Sequence, residues 1–291
     1  MSGPSLAAGW WPAPAKLNLF LHVIGRQPDG YHSLQTVFQL LDWCDELRIE
    51  ASTDGRIERV AGPEAISAEQ DLCVRAARAL QQASGSRLGA RIELRKRIPT
   101  GGGLGGGSSD AATVLLVLDR LWGLHGGLEA LAAIGLTLGA DVPVFVHGES
   151  AWGEGRGERL TPVALPERWF VVIHPGVSVS TAEVFQAPEL TRNSPVLTIR
   201  AFSPGADAGA GLRNDCEAVV RARVPVVGEA LDWLARFAPS RMSGTGACVF
   251  AAFDSAAAAE RVAARVPDVW TARVARGVQR SPLHERLAAG A

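Results

Sequence analysis

Pro99-Thr100-Gly101-Gly102-Gly103-Leu104-Gly105-Gly106-Gly107-Ser108-Ser109-Asp110 is the stretch on which the reading of this chain turns, and six of the seven residues from Gly101 to Gly107 are glycine. Without Cβ atoms in the way, backbone N–H groups can converge on an oxyanion, and the free amides and dipole of a helix start favour negative charge. Upstream, Ile92, Leu94 and Ile98 occupy alternating positions of Arg91 to Ile98 and predict a strand with one buried face. Downstream, Ser108, Ser109 and Asp110 suit a helix N-terminus, and Ala111, Ala112, Leu115, Leu118 and Trp122 recur with helical spacing. The order strand, glycine loop, helix predicts a cradle for nucleotide phosphates.

The same residues admit other readings of the loop. Gly101, Gly103 and Gly106 match the dinucleotide fingerprint G-x-G-x-x-G, a weak signal in a run so rich in glycine. A dinucleotide fold would place this turn after its first strand and an acidic residue at the end of the second, and neither is evident. The P-loop needs Gly-Lys-Ser/Thr, whereas this chain reads Gly107-Ser108-Ser109 and has no lysine in the loop. The plain alternative is a flexible surface turn, although linkers rarely sit tightly between a strand and a helix.

At 291 residues the chain predicts two domains. Lys+Arg 29 against Asp+Glu 30 leaves no basic excess for nucleic acid or an anionic membrane, which points to a small-molecule partner. Cys44, Cys73, Cys216 and Cys248 form no Cys-x-x-Cys pair, so neither zinc nor a disulfide framework is signalled and a reducing cytoplasm fits. Asn18 and His22 interrupt the apolar run after Lys16, against a secretory signal. No apolar run approaches the roughly 20 residues needed to span a bilayer. Oligomeric state is not legible.

From Lys16 to Val23 the pattern alternates: Leu17, Leu19, Leu21 and Val23 fall on one face, Lys16, Asn18, Phe20 and His22 on the other. Lys16 and Asn18 therefore point the same way, with Lys16 at the start of the strand on its non-core face. Gln27-Pro28-Asp29-Gly30 signals a turn, and Ser33 to Leu41 and Glu46 to Ala51 predict further strands of a meander. Leu72 to Ala83 and Leu128 to Leu138 predict helices, the second closing at Gly139 before the polar break Ala140-Asp141-Val142-Pro143.

The composition shift at Gly153-Glu154-Gly155-Arg156-Gly157-Glu158, a hairpin turn or the edge of a linker, sets the expected division into residues 1–155 and 156–291. Beyond it, Trp169 to His174, Ala247 to Phe253 and Val269 to Val274 predict strands, while Pro225 to Phe237 and Ser255 to Val266 predict helices. This alternation suggests an α+β fold of ferredoxin-like type. Ser203 to Gly211, rich in Gly and Ala, predicts a mobile loop.

If the glycine loop holds a triphosphate, phosphoryl transfer needs positive charge near the moving group and a residue to orient or deprotonate the acceptor hydroxyl. Lys16 and Asp141 are the candidates; an ordinary surface lysine and a helix-ending turn aspartate are the plain alternatives. Ser243-Gly244-Thr245-Gly246 could bring backbone N–H groups to a substrate or to the first loop, though alone it is only a turn. Tyr31 and His32, after Gly30, could stack on a base or hydrogen-bond it, while His32 could equally be a partly buried turn residue. His174, before Pro175, is expected to end a core strand.

Taken together, Pro14-Ala15-Lys16-Leu17-Asn18-Leu19, the run from Pro99 to Ser109, and Ser243-Gly244-Thr245-Gly246-Ala247 resemble in order and spacing the three motifs of the GHMP kinases. Asp29-Gly30-Tyr31-His32-Ser33-Leu34-Gln35-Thr36, Gly139-Ala140-Asp141-Val142-Pro143-Val144-Phe145 and the extra glycines after Leu104 resemble the subgroup with a diphosphocytidyl acceptor. The likeness spans roughly residues 12 to 285. It implies a two-domain α+β architecture: an N-terminal ribosomal-protein-like α/β domain with a left-handed crossover that binds ATP, and a C-terminal ferredoxin-like domain that binds substrate. It also implies transfer of phosphate from ATP, with magnesium, to the 2-hydroxyl of 4-diphosphocytidyl-2-C-methyl-D-erythritol, a step of non-mevalonate isoprenoid biosynthesis.

On this resemblance Lys16 is the catalytic lysine and Asp141 the base. Pro99, Thr100, Gly101, Gly102, Gly103, Leu104, Gly105, Gly106, Gly107, Ser108 and Ser109 wrap the ATP phosphates. Asn18, Tyr31, His32, Gly244 and Thr245 meet the acceptor, with Tyr31 and His32 on its cytosine. No metal-carboxylate motif is evident, so the magnesium ligands stay open. The rival readings are a homoserine or mevalonate-type kinase, a non-catalytic nucleotide sensor on the same fold, which would be expected to lose Lys16 or Asp141, and, more distantly, a dinucleotide-dependent oxidoreductase.

Overall fold

The computed structural model describes residues 9–28, 30–64, 66–67, 69–199 and 212–290. Asp29 and the predicted loop Ser203 to Gly211 lie outside the described residues. The first part of the chain runs β1 (Trp11–Arg26), β2 (His32–Ser52), β3 (Ile57–Ala61), α1 (Leu72–Ser84), β4 (Gly89–Arg95), α2 (Gly106–Leu121), α3 (Gly127–Leu138), α4 (Val142–His147), β5 (Ala151–Gly155) and β6 (Arg159–Pro162). The second continues with β7 (Trp169–His174), α5 (Thr181–Gln186), α6 (Asp215–Arg223), α7 (Pro225–Ala235), β8 (Ser240–Met242), β9 (Val249–Phe253), α8 (Ala256–Ala263), β10 (Thr271–Val278) and α9 (Pro282–Ala289).

β2 is the hub. One continuous strand replaces the two expected from Ser33 to Leu41 and Glu46 to Ala51, because Asp42 to Asp45 stay extended against β1. Along one edge of β2 lies antiparallel β1; along the other lie β5 at Leu34–Phe38, β10 at Leu40 and Leu41, and β4 at Glu46–Ser52. Gly153–Gly155 end β5, and Arg156–Glu158 form the turn of the β5–β6 hairpin. β7 to β10 lie in the order β10-β7-β9-β8, all antiparallel. With α5 to α7 between β7 and β8, and α8 between β9 and β10, this is the ferredoxin-like arrangement.

Local chemistry sets the helix ends. Asp71, Asn214, Ser255 and Ser281 cap α1, α6, α8 and α9 by accepting from Cys73 N, Cys216 N, Ala258 N and Leu283 N, and Gly85 closes α1 in the left-handed region. The predicted polar break at Ala140–Pro143 opens α4 instead, with Pro143 in its first turn, where a missing N–H costs nothing.

Two apolar cores form, one between the β1-β2-β4 face and α1 to α4 with α9, the other between β7-β9 and α6-α7. A third cluster joins them: Ala15, Leu17, Leu41, Ile98, Leu104, Phe170, Val172, Cys248, Phe250 and Ala275. Leu104, the one side chain among the loop glycines, is 1% exposed in this junction and pins the loop to it.

The strict two-face alternation predicted for Lys16 to Val23 does not hold. Register shifts between Pro14 and Lys16, Asn18 and Leu21, and Val23 and Gly25 rotate β1, so that Lys16, Asn18, Phe20 and His22 are all buried. Lys16 lies inside a strand that begins at Trp11 and is only 2% exposed, which corrects its expected place at the strand start on a non-core face.

Candidate active site

Bringing an ammonium this deep requires partners, because an unpaired buried charge is severely disfavoured. Lys16 Nζ donates to Asn18 Oδ1 at 2.5 Å and to Gly103 O at 2.9 Å, and meets Asp141 Oδ2 at 3.1 Å. Asn18 Nδ2 donates to Thr36 Oγ1 at 2.9 Å, and Thr36 Oγ1 donates to Phe20 O at 2.5 Å, so Asn18 presents its oxygen to the lysine. Asp141 caps α4 and is about one-third exposed, its side chain 32% accessible, which leaves the carboxylate open to the cleft. Lys16 and Asp141, 125 positions apart in sequence, thus meet beside the glycine loop.

The loop is held from three sides. Lys16 N donates to Leu104 O at 2.9 Å, Ser243 Oγ to Gly103 O at 2.9 Å, and Cys248 N to Gly102 O at 3.0 Å. Asn18 N donates in turn to Ser243 Oγ at 3.2 Å, tying the first and third motifs together. Gly103 has φ +74°, and a Cβ there would lie 2.1 Å from Ser243 O, so backbone conformation and close approach both demand glycine. Asn214, which caps α6, holds the third motif by donating to Met242 O at 2.8 Å and Gly244 O at 2.7 Å.

Helix α2 starts at Gly106 with Gly105 as its N-cap, earlier than the predicted Ser108-Ser109-Asp110. Those residues lie inside its first turns, and Ser109 Oγ and Asp110 Oδ1 are buried without a hydrogen-bond partner. Lys96 Nζ binds Asp110 Oδ2 at 2.8 Å and also Asp45 Oδ2. Asp45 Oδ1 accepts from the backbone of Arg97 at 2.5 Å and of Ile98 at 2.8 Å, which turns the chain from β4 into the loop. Burial, only partly offset by Lys96 and reinforced by Asp45, pushes the Asp110 carboxyl well above the usual carboxylate range. Burial alone would lower Lys96, but Asp110 and Asp45 outweigh it and raise its pKa.

One cleft of about 1090 Å³ runs past all these groups, just above the upper end of the range for a single small-molecule site and so wide enough for two substrates. Ile66, Leu72 and Leu94 are among its apolar lining, together with Lys16, the glycine loop and Asp141. Tyr31, which also lines it, is half-exposed with the Arg156 guanidinium 3.5 Å from its ring centre, and His32 stacks on Phe185 with ring centres 5.1 Å apart. Burial, then Arg192 and Arg26, lower the His32 pKa. Thr245 Oγ1 lies 2.8 Å from Thr181 Oγ1.

Every residue predicted from the sequence to serve the site, from Lys16 and Asn18 through Thr245, lines this cleft except Ser109, which is buried beneath it. Both polar atoms of Asn18 are engaged with Lys16 and Thr36, so it serves the lysine first. His174 ends β7 as expected, its Nε2 buried and unpartnered. Sequence reading missed Lys96, Arg156, Phe185, Arg192 and Asn214. Only Asn214 carried a local signal, an Asn-Asp pair ahead of a helix.

Residues 71–149 match the GHMP kinases N terminal domain, and residues 198–272 match GHMP kinases C terminal. The chain belongs to the GHMP kinase family, whose two-domain α+β architecture it shares. Its relatives include the 4-diphosphocytidyl-2-C-methyl-D-erythritol kinase of Alkalilimnicola ehrlichii, 59% identical over 95% of this chain and 94% of that one, and that of Halorhodospira halophila, 57% identical over 97% of each. The crystal structure of a 4-(cytidine 5'-diphospho)-2C-methyl-D-erythritol kinase superimposes with a TM-score of 0.80 at 35% identity, covering 93% of this chain and all of that one. Within the GHMP kinases, the chain belongs with the kinases of that name.

Proposed function

We propose that this protein transfers the γ-phosphoryl group of ATP to the 2-hydroxyl of 4-diphosphocytidyl-2-C-methyl-D-erythritol in the non-mevalonate route to isoprenoid precursors. The observation that carries the reading is the meeting of Lys16 Nζ with Asp141 Oδ2 at 3.1 Å and with Gly103 O at 2.9 Å, on the wall of the cleft. Residues 99 to 108 cradle the triphosphate over the buried Ser109, apolar Ile66, Leu72 and Leu94 take the adenine, and Tyr31 and His32 take the cytosine. Gly244 and Thr245 face the acceptor between the two nucleotides.

Phosphoryl transfer asks the protein for positioning and charge stabilisation more than for covalent chemistry. Lys16, fixed by Asn18 and Thr36, places positive charge at the loop without reorganising. Asp141 accepts the proton of the acceptor hydroxyl as the oxygen attacks, and the paired ammonium holds the carboxylate in place. The donor set fits a magnesium ion that arrives with the nucleotide: among the described residues no three His, Cys, Asp or Glu side chains gather as a resident metal site. Ser108, which lines the cleft, would supply an oxygen beside those of phosphate and water. Magnesium neutralises charge on the β- and γ-phosphates when bound there.

The division proposed near residues 155/156, nucleotide first and acceptor second, is not a clean cut: the β5–β6 hairpin spans it, α9 returns to the first core, and Leu21 and Val23 of β1 pack in the second. Cys44, Cys73, Cys216 and Cys248 are free thiols, in keeping with a reducing cytoplasm, and no helix among the described residues is long and apolar enough to cross a membrane.

The test offers purified protein ATP, magnesium and three alcohols together: the diphosphocytidyl methylerythritol, homoserine and mevalonate. Phosphate appearing on the first alone is expected. Preferential phosphorylation of homoserine or mevalonate would remove the proposal.

A further inference from the structure

Arg192 follows α5 and donates at both ends of its guanidinium. Nη1 donates to Leu190 O at 3.1 Å, and Nη2 donates to Phe185 O at 3.0 Å and Ala187 O at 2.7 Å. Nε donates to His32 Nε2 at 3.1 Å. The same side chain therefore fixes the His32 imidazole and the backbone of Phe185, the ring stacked on it. Guanidinium has no acceptor, so His32 Nε2 must be the acceptor of that bond; a neutral imidazole has a single acceptor, and the proton is left on Nδ1.

We infer that Arg192 is a positioning residue for base recognition: it holds His32 as the neutral Nδ1–H tautomer, so that the cleft offers a pyrimidine ring a hydrogen-bond donor at this point. The inference rests on the reading that Tyr31 and His32 receive the cytosine. Cytosine N3 accepts a hydrogen bond, whereas uracil N3 carries a hydrogen and would meet the His32 donor with a donor of its own. A site that leaves buried donors unpaired against the wrong ligand rejects it strongly. Arg192 thus converts a histidine that could present either face into a reader of cytosine over uracil. The charged groups bearing on the ring are Arg192 and Arg26; with burial they keep it from taking a second proton near neutral pH.

The first test needs no variant to fold. Long-range ¹H–¹⁵N spectra of the labelled wild-type protein, with His32 assigned by its loss in His32→Gln, are expected to show the proton on Nδ1; a proton on Nε2 overturns the assignment. Kinetics follow with the cytidine substrate and its uridine diphosphate counterpart. The wild type is expected to favour the cytidine compound; Arg192→Met raises its KM about tenfold or more, leaves kcat within about twofold, and loses most of the preference. Arg192→Lys recovers part of it. A wild type that uses both compounds equally removes the cytosine reading, and with it the task given to Arg192. A wild type that discriminates beside an Arg192→Met variant that discriminates equally leaves the cytosine reading standing and overturns the role of Arg192.

Discussion

Two buried charge clusters flank the glycine loop, and they are built differently. Lys16 is matched to one carboxylate, Asp141, and to neutral oxygens. Lys96 faces two carboxylates, Asp45 and Asp110, and Asp110 Oδ1 has no partner. One ammonium cannot satisfy both, and burial makes Asp110 the group that holds a proton to high pH. As pH rises through the ordinary carboxylate range near ~4, an unfolded chain releases this proton while the folded chain keeps it. The stability that the raised carboxyl contributes is therefore complete at lower pH and is lost progressively as pH climbs toward its folded value. Chemical unfolding from pH 5 to 8 is expected to show wild-type stability falling relative to Asp110→Asn, which has no proton to lose. Parallel profiles would contradict this assignment. At this scale the sequence pointed to Lys16 and Asp141 through the resemblance of their flanking motifs, since on local pattern alone a surface lysine and a turn aspartate were the plain alternatives. Arg192 gave no such signal: its partner His32 is 160 positions away, and only the folded chain brings them together.

At the scale of elements, the glycines of the loop have distinct duties. Gly103 must be glycine, both for its φ of +74° and because Ser243 O occupies the space of a Cβ. Gly106 starts α2 with helical backbone, so it is not held in the left-handed region; its Cβ would press on Ile98 and Lys96 at 3.1 Å. Gly107 is freer still, a Cβ meeting only the end of Leu72 at 3.2 Å. Gly103→Ala is expected to lower Tm by about 5 °C or more and to weaken ATP binding, because the first and third motifs can no longer close on each other. Gly107→Ala should leave Tm almost unchanged, since alanine favours the helix. Thermal melts and ATP titrations of both variants check this, and equal effects at the two positions would contradict it. The order strand, loop, helix was legible because periodicity changes from two to about 3.6 across the glycines. The helix start was displaced because Ser and Asp usually mark caps, and here an αL glycine takes that place. The alternation of β1 misled because bulges leave no mark in hydrophobic pattern.

For the whole molecule, the Lys16–Asp141 pair is a product of the junction. Lys16 comes from β1, Asp141 from the start of α4, and the loop they meet is clamped by Ser243 and Cys248 from the second half of the chain. The ferredoxin-like half was legible from its alternating strands and helices. The continuous sheet that joins it to the first half through β2 and β10 was not, because that contact is only two residue pairs, Gly277 with Leu41 and Val278 with Leu40. The central claim is that the Asp141 carboxylate, held by Lys16 over a loop that grips ATP, takes the acceptor proton. It is tested most directly by the single-turnover rate of phosphate transfer in Asp141→Asn, measured beside the ATP dissociation constant. The rate is expected to fall by about 10²- to 10⁴-fold with nucleotide affinity nearly intact; transfer at the wild-type rate would contradict the account.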